Sequence, residues 1–318
     1  FSSDGDEASH TGVQARYLTE AAIRFIDAGS EQPFFISLNF TEPHAPFAGL
    51  PERLVARYRP LANDVVRPGG SSALADRGSA TTVPADHVEK LAQYLAAVTL
   101  IDDQVGRLLD ALQGRGLADN TVLVYTSDHG MLMGQYGLYG KTNATNPPNF
   151  YEETIRIPLI VHAPGERTRG SQARGELVDL LDLHATVMDY ATRGRVAAPE
   201  YGPGRSLRPL LEGERSRAWR TLQFAERGNV RMVTDGRWKL VRRYQRDPDQ
   251  APADQWYDLA HPFGERHAAD LPGASVRGRL MTELERFFGR YETPEHTGRR
   301  IWEQPPPNAR MRDDLAAD

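Results

Sequence analysis

The chain has 318 residues, of which 40% are hydrophobic and 25% are charged, so it can bury a sizeable core and has the composition of an ordinary globular protein. Its net charge of −5 excludes the basic face that nucleic-acid binding requires, and no apolar run approaches the roughly 20 residues that cross a bilayer. Because cysteine is absent, no disulfide, thiolate metal site or cysteine nucleophile can lie in this sequence.

The first elements are predicted to alternate between helix and strand. Residues 13–28 carry apolar side chains at helical spacing and are followed by Gly29, which predicts an amphipathic helix. Residues 33–40 form a nearly continuous apolar run of strand length, as expected for a sheet covered on both faces. The stretch 41–78 is rich in Pro, Gly, Ser and Arg and is predicted to be a long surface loop with little regular structure.

The alternation continues through the next part of the chain. Apolar spacing predicts a long helix over residues 88–112 and another over 177–191, whereas residues 121–126 and 157–162 predict short strands. Alternating strands and helices are typical of an α/β fold in which helices flank a largely parallel or mixed sheet. We therefore place one domain over residues 1–212.

The pattern changes in the last third of the chain. Asp235-Gly236 lies between two β-prone runs and is a strong signal for a hairpin turn. Helical spacing returns over residues 276–291, before a Pro-rich tail. We therefore place a smaller antiparallel α+β unit over residues 213–293 and a tail over 294–318. The strands predicted in the smaller unit cover residues 221–225, 230–233 and 238–241.

The strand at 121–126 runs into side chains that can take part in chemistry. Asp128, His129 and Gly130 follow it, and ligands collect where the strands of an α/β sheet end. Neighbouring side chains in a strand point to opposite faces, so Asp128 and His129 could share one ion only after the strand has ended. Gly130 permits the turn that this needs. Taken alone, the pattern leaves open a capped turn beside a surface histidine.

Further motifs surround this one in a fixed order. With Ser127-Asp128-His129-Gly130 among them, they resemble the motifs of the sulfatase family, which belongs to the alkaline phosphatase superfamily. Residues 204–210 and 256–259 are similar to segments that open and close the family's small carboxyl-terminal domain, so the resemblance covers about residues 10–275. The other motifs are Glu42-Pro43-His44-Ala45-Pro46, Asp102-Asp103-Gln104-Val105-Gly106, Gly137-Leu138-Tyr139-Gly140-Lys141 and Glu152-Glu153-Thr154-Ile155-Arg156-Ile157-Pro158-Leu159-Ile160.

The resemblance implies an alkaline-phosphatase-like fold without its amino-terminal strands, and a role for four residues. Asp128 and His129 would ligate a divalent cation, usually calcium in this family. Many relatives have Asn at the position of His129, so magnesium or a transition metal stays open. His44 and Lys141 would be catalytic and substrate-binding: His44 would contact the sulfate or the ester oxygen, and Lys141 would bind a sulfate oxygen.

A less specific interpretation stays open at each position. His44 lies between two prolines and could only brace its loop, and Lys141 could be a solvated surface charge. Glu152, Glu153 and Arg156 are interpreted as a structural ion-pair group near the site. The chemistry nevertheless suits the four site residues, because transfer of a sulfuryl group needs cations around its oxygens and a proton donor for the departing alcohol.

The family's nucleophile motif is not found ahead of Pro-His-x-Pro in this sequence. Sulfatases attack with a formylglycine made from Cys or Ser in Cys/Ser-x-Pro/Ala-x-Arg, and two more acidic metal ligands also precede Pro-His-x-Pro. No serine that precedes Pro-His-x-Pro in this sequence begins such a motif. We therefore expect this polypeptide to be a fragment that is inactive alone, because two ligands cannot hold a hard cation that prefers six or more. A sulfatase-like protein with only a binding or structural role is the alternative.

The expected activity of the intact protein is hydrolysis of a sulfate ester to an alcohol and sulfate. Phosphonate monoester hydrolases, which also use formylglycine, and metal-dependent phosphodiesterases of the same superfamily stay open. Pro-His-x-Pro and Gly-Lys favour a sulfatase over the phosphodiesterases. A sulfated carbohydrate is the first expectation for the substrate, and a periplasmic or secreted location is implied by the family. The particular ester and the oligomeric state do not follow from the sequence.

Overall fold

The structure is a computed structural model, and it describes residues 2–3, 6–7, 12–29, 32–66, 83–145, 147–163, 173–195, 202–213, 219–245, 252–261, 265, 271–294 and 297–303. The helices are α1 Gln14–Ala28, α2 Glu52–Tyr58, α3 Ala62–Val65, α4 His87–Gly114, α5 Glu152–Ile155, α6 Leu181–Thr192, α7 Arg208–Leu211 and α8 Ala274–Tyr291. The strands are β1 Ser2–Ser3, β2 Asp6–Glu7, β3 Leu123–Thr126, β4 Leu132–Met133, β5 Tyr139–Gly140, β6 Leu159–His162, β7 Gln223–Arg227, β8 Val230–Thr234, β9 Trp238–Arg243 and β10 Ala253–Asp258.

Helices α1, α2 and α4 pack together through small and aliphatic side chains. The long helix α4 presents Ala92, Ala96 and Leu100 to Ala15 of α1 and Val55 of α2, and these residues form one buried cluster. The alanines let the helix axes approach closely, and burial of the shared apolar stripe stabilises the short helix α2, which would be marginal alone. The helices predicted over residues 13–28 and 88–112 are confirmed.

Two predictions for the amino-terminal part are wrong. Residues 33–40 are not a strand, because their backbone pairs with no other strand among the described residues, and Phe35 is 72% exposed. Residues 41–66 are not an irregular loop, because they contain α2 and α3 joined by a 3₁₀ turn at Arg59–Leu61. Residues 67–78 of the predicted loop lie outside the described residues.

Strands β3 and β6 confirm the two short strands that were predicted before and after the Asp-His motif. They pair antiparallel, with Leu123 opposite His162 and Thr126 opposite Leu159. A mixed sheet contains such pairs, and every strand pair among the described residues is antiparallel. The helix predicted over 177–191 forms as α6, four residues later at its start.

The last third of the chain forms an antiparallel sheet in the order β10-β9-β8-β7 with α8 against it. The Asp235-Gly236 hairpin is confirmed: Gly236 has φ 87°, and the Asp235 carboxylate accepts the backbone N–H of Trp238 at 2.8 Å. The helix predicted at 276–291 is confirmed as α8. Strand β10 was not predicted, because the polar residues Asp254 and Gln255 directly before the buried Trp256 and Tyr257 obscure the strand pattern.

The two parts of the chain share a core, so the boundary at residue 212 stays a prediction. Leu132 and Tyr151 from the first part lie in one buried cluster with Val230, Met232 and Tyr257 from the second. Burial of apolar surface from both sides holds the small sheet against the region that follows β3. Within the described residues, no helix is long and apolar enough to cross a membrane.

Candidate active site at the end of strand β3

The turn after β3 presents Asp128 to solvent. Thr126 at the end of the strand donates its hydroxyl to the carbonyl oxygen of Pro158 at 2.8 Å, which fixes the point where the strand stops. One Asp128 carboxylate oxygen accepts the backbone N–H of His129 at 2.9 Å. The Asp128 side chain is 82% exposed, so its other oxygen is available to a ligand.

The same turn brings the His129 imidazole beside the Asp128 carboxylate, with 3.4 Å between Nε2 and Oδ2. His129 Nδ1 lies 3.0 Å from the carbonyl oxygen of Gly130, and a carbonyl can only accept, so this contact places a proton on Nδ1. In the neutral ring Nε2 then carries a lone pair that faces a carboxylate oxygen. Two such acceptors side by side suit a cation between them, and donation of the other ring N–H to a carbonyl is typical of metal-binding histidines.

Gly130 is needed for a close backbone approach. Its N–H donates to the carbonyl oxygen of Thr154 at 3.0 Å, and a Cβ at position 130 would lie 2.1 Å from the carbonyl oxygen of Glu153. Gly130 does not have the positive φ that would otherwise require glycine. The turn that carries Asp128 and His129 therefore rests directly on the backbone of α5.

Lys141 is joined to the same backbone by a buried asparagine. The Thr154 hydroxyl donates to Oδ1 of Asn149 at 3.1 Å, and Asn149 Nδ2 donates to the carbonyl oxygen of Lys141 at 3.2 Å. Asn149 is 1% exposed, so these bonds are shielded from water and are costly to break. The Lys141 side chain is half-buried, and its ammonium has no ion-pair partner among the described residues.

The loop that carries His44 is anchored at both ends. Before it, the Glu42 carboxylate accepts the backbone N–H groups of Gln14 at 2.8 Å and Ala15 at 3.1 Å, and so caps the start of α1. After it, Phe47 packs edge-on against the ring of Tyr139 with 6.2 Å between the centroids. His44 itself is exposed.

The three predicted segments therefore converge. Phe47 from the His44 loop and Met133, three residues after Gly130, lie in one buried cluster, and Tyr139, two residues before Lys141, packs against it. Asp128 and His129 are in direct contact, whereas His44 and Lys141 make no direct contact with them among the described residues, and only neighbours of these two residues share the cluster. His44 Nδ1 lies 3.0 Å from the carbonyl oxygen of Ala45, an arrangement that leaves Nε2 for a substrate.

Sequence reasoning missed a cation beside Lys141. Arg227 at the end of β7 donates from Nη1 to the hydroxyl of Thr142, the next residue after Lys141. The Arg227 side chain is exposed and has no acidic partner among the described residues. The two positions are 85 residues apart, so no local sequence signal could have found this pair.

Glu152, Glu153 and Arg156 do not form the ion-pair group with one another that was predicted. Glu152 pairs with Lys239, at 2.6 Å, and not with Arg156. Glu153 accepts the phenol O–H of Tyr136 at 3.2 Å, and its negative charge adds to burial in raising the pKa of Tyr136. Arg156 is exposed, with no ion-pair partner within the described ranges.

The motif at 204–210 has a packing role. A Cβ at Gly204 would lie 2.2 Å from the carbonyl oxygen of Leu181, and Asp182 accepts the backbone N–H of Arg205 at 2.8 Å. Asp182 is fully buried and also pairs with Arg220, and burial is the main cause that raises its pKa. The motif thus docks its segment on α6.

The described residues place two possible cation donors side by side. They contain no group of three or more His, Asp and Glu side chains that could hold a metal ion. The Asp128 oxygen and His129 Nε2 are suitable donors for a divalent cation, but two donors fall short of the six or more that calcium takes. The fit is therefore to one side of a cation site.

Two family models match this chain. The model described as Sulfatase matches residues 3–193. The model described as N-sulphoglucosamine sulphohydrolase, C-terminal, matches residues 134–269. The matched regions together contain all four predicted site residues.

Named relatives match the chain over different lengths. It is 28% identical over 222 residues to an arylsulfatase of Clostridium perfringens, which covers 64% of this chain and 43% of that protein. It is 29% identical over 309 residues to the sulfatase YidJ of Escherichia coli, covering 91% and 58%. It is 38% identical over 121 residues to an N-acetylglucosamine-6-O-sulfatase of Bacteroides thetaiotaomicron, covering 38% and 20%. The chain thus spans less than two thirds of each relative.

Solved structures confirm the predicted fold class. BT4656, solved in complex with its substrate D-glucosamine-2-N,6-O-disulfate, superposes with a TM-score of 0.67 at 20% identity, covering 92% of this chain and 73% of that one. A phosphonate monoester hydrolase of Agrobacterium radiobacter superposes with a TM-score of 0.69 at 23% identity, covering 90% and 63%. At these identities the likeness shows the fold, an α/β architecture with a small antiparallel sheet.

Proposed function

This chain belongs to the sulfatase family, whose model matches residues 3–193, and from that premise we propose that the intact protein hydrolyses a sulfate ester to an alcohol and sulfate. One observation carries the proposal. The Asp128-His129 turn and the Lys141 turn share a single buried support, which runs from Gly130 through Thr154 to Asn149. We propose that a carboxylate, an imidazole and an ammonium are thereby held around one region, as a sulfate ester requires.

Asp128 and His129 are proposed to hold one side of a divalent cation. The Asp128 oxygen is a hard donor that suits calcium or magnesium, and the imidazole nitrogen also admits a transition metal. When bound, the cation would supply positive charge to the oxygens of the sulfuryl group as charge develops on them. The remaining ligands, and a formylglycine nucleophile, are proposed to come from an amino-terminal segment of the intact protein.

His44 and Lys141 are proposed to act on the ester itself. Lys141 is half-buried and its ammonium has no ion-pair partner among the described residues, so a sulfate oxygen can accept its protons without displacing a carboxylate. With Nδ1 donating to the carbonyl oxygen of Ala45, His44 can present a second proton on Nε2 to the departing alcohol when the ring is charged. Both roles add charge where the transition state needs it.

A sulfated carbohydrate is the proposed substrate class. Support comes from the relative named N-acetylglucosamine-6-O-sulfatase and from the structure whose printed substrate is a glucosamine disulfate. Arg227 supplies a second cation, which is exposed, beside the Lys141 turn, and this suits a substrate with more than one anionic group. A periplasmic or secreted location is proposed with this substrate class, as the family resemblance implies.

Phosphonate monoester hydrolysis is the second candidate function. It is supported by the superposition on the Agrobacterium radiobacter enzyme, which is as close in fold as the superposition on BT4656. The site features described above suit a tetrahedral monoanion of either element. Rates on matched sulfate and phosphonate esters distinguish the two activities.

The test uses the intact gene, expressed with formylglycine-generating machinery and assayed on a chromogenic sulfate ester and a matched phosphonate ester. We expect Asp128→Ala, His44→Ala and Lys141→Ala each to lower kcat/KM by roughly 100-fold, as loss of preorganised charge does. Lys90→Ala and His184→Ala are matched controls, because Lys90 pairs with Asp86 on the surface of α4 and His184 is exposed on α6. Rates like the unmodified protein in the His44 and Lys141 variants would overturn their assigned roles.

A further inference from the structure

Lys239 of the small sheet has a buried ammonium whose hydrogen-bond and ion-pair partners all lie outside that sheet. It lies on β9 and is 0% exposed. Its Nζ lies 2.8 Å from the carbonyl oxygen of Phe150, 2.6 Å from a Glu152 carboxylate oxygen and 2.8 Å from a Glu265 carboxylate oxygen. The ammonium donates hydrogen bonds to the Phe150 carbonyl and the Glu265 carboxylate and forms an ion pair with Glu152, so its charge is compensated on three sides.

Glu265 completes this cluster from the other side. It is 2% exposed, and its second carboxylate oxygen accepts the backbone N–H of Glu152 at 2.6 Å. Lys239 and Glu265 therefore grip the first residue of α5 together, one through its side chain and the other through its backbone. Leaving a buried charged group without one of its partners is strongly unfavourable, so these contacts oppose movement of α5.

Helix α5 passes this constraint to the candidate site. Glu153 and Thr154, the two residues after Glu152, provide the backbone on which Gly130 rests. The helix has only four residues, so its place depends on what holds it and little on helix propensity. Lys239 and Glu265 are thus separated from Gly130 by one short helix.

We propose that Lys239 of the small carboxyl-terminal sheet and Glu265, which follows β10, are positioning residues that fix α5 and, through α5, the turn that presents Asp128 and His129. The inference about α5 stands on these contacts, and its meaning for catalysis rests on the proposed function. It assigns the small sheet a part in setting the geometry of the site. Neither residue would touch the substrate.

The chain offers a matched control on the same strand. Arg242 lies on β9 and is also a buried cation between two carboxylates, Asp254 at 2.8 Å and Glu285 at 3.0 Å. Its partners lie on β10 and α8, within the carboxyl-terminal part, and not on α5. Replacing Arg242 by Met should weaken the small sheet without releasing the site.

The experiment measures amide hydrogen exchange at Gly130 in the intact protein without metal or substrate. We expect Lys239→Met to speed exchange at Gly130 by about tenfold or more, and Arg242→Met to leave it unchanged. Metal affinity and kcat should fall with the Lys239 variant by a similar factor, with little change in KM. Wild-type exchange at Gly130 in a folded Lys239→Met protein would overturn the proposal.

A second variant covers the case in which Lys239→Met does not fold. Glu265→Gln keeps the size and replaces one of the two oxygens that accept from Lys239 and from the Glu152 backbone by an NH2 donor. It too should speed exchange at Gly130, whereas unchanged exchange would also overturn the proposal. The exchange measurement is independent of activity. If exchange responds as expected and the protein does not hydrolyse sulfate esters, the positioning role holds and the proposed function fails.

Discussion

The backbone N–H of Gly130 donates to the carbonyl oxygen of Thr154 at 3.0 Å, across the line where the Asp128-His129 turn meets α5. This bond joins two motifs that are separated in sequence and fixes the position of the candidate metal ligands relative to α5. The contact is close enough that only glycine fits at position 130, since a Cβ would lie 2.1 Å from the carbonyl oxygen of Glu153.

Gly130→Ala should therefore damage both stability and the site. The added methyl group overlaps a backbone oxygen, and relief of such overlap typically costs about 1–3 kcal/mol. We expect the free energy of unfolding, measured with urea, to fall by that amount. Gly106→Ala is the control, because Gly106 lies in α4 with open space around it and alanine there should stabilise the helix by about 0.5–1 kcal/mol. Equal stability of the two variants would contradict the close approach.

The stability of the protein should depend on the protonation of Glu265. Burial raises the pKa of Glu265 from 4.5 to about 7, against the opposing effect of Lys239. A group whose pKa is raised on folding contributes stability that is complete below its unfolded pKa and is lost as the pH rises through its folded pKa. The window is thus pH 4.5 to about 7, and the difference corresponds to about 3 kcal/mol.

Glu265→Gln should flatten this part of the pH dependence. Urea unfolding of the unmodified protein and of the variant between pH 4.5 and 7.5 measures the free energy of unfolding as a function of pH. The difference between these two pH profiles separates the contribution of Glu265 from that of other titrating groups. The other titratable groups that face it, Lys239, Glu152, Tyr136 and Tyr257, are unchanged in the variant. Parallel curves would show that Glu265 does not titrate in this window.

Arg227 should matter more for a multiply charged substrate than for a simple one. Its guanidinium reaches Thr142 from β7, and a charge-assisted hydrogen bond to an anionic group contributes about 1.5–3 kcal/mol. We expect Arg227→Ala to raise KM for a disulfated sugar by roughly tenfold or more and to leave KM for an aryl sulfate nearly unchanged. Arg237→Ala is the control, since Arg237 is exposed on the β8–β9 turn beside Asp258. An equal change in KM for both substrates would show that Arg227 does not determine substrate specificity.

Glu42 should stabilise α1 and the His44 loop together. Val13 at the amino-terminal cap offers no side-chain acceptor, and the Glu42 carboxylate takes two of the free N–H groups instead. Loss of such a cap costs about 1 kcal/mol, so Glu42→Ala should lower the free energy of unfolding by that amount and also lower kcat/KM. Glu20→Ala, an exposed change in the same helix, should do neither. A Glu42 variant with unaltered stability would refute the cap.

Much of the fold follows from local patterns in the sequence. Helix α4 and helix α8 have long apolar stripes at helical spacing, and the hairpin at Asp235-Gly236 has the residues that its turn requires. Short elements are different. Helix α2 owes its stability to Val55 against α4, and β10 to burial of Trp256 and Tyr257, so neither has a clear local signature.

The sequence by itself determined the family, the fold class and the order of the motifs, because these depend on residue types at fixed spacing along one chain. Only the tertiary structure decided which groups meet. Several contacts join segments that are distant in sequence: Glu42 binds the start of α1, Lys239 and Glu265 bind the start of α5, and Arg227 binds Thr142. Hydrogen bonds and ion pairs form between groups that are close in space. Packing of the helices and strands sets those distances, and the spacing of residues along the chain does not reveal them.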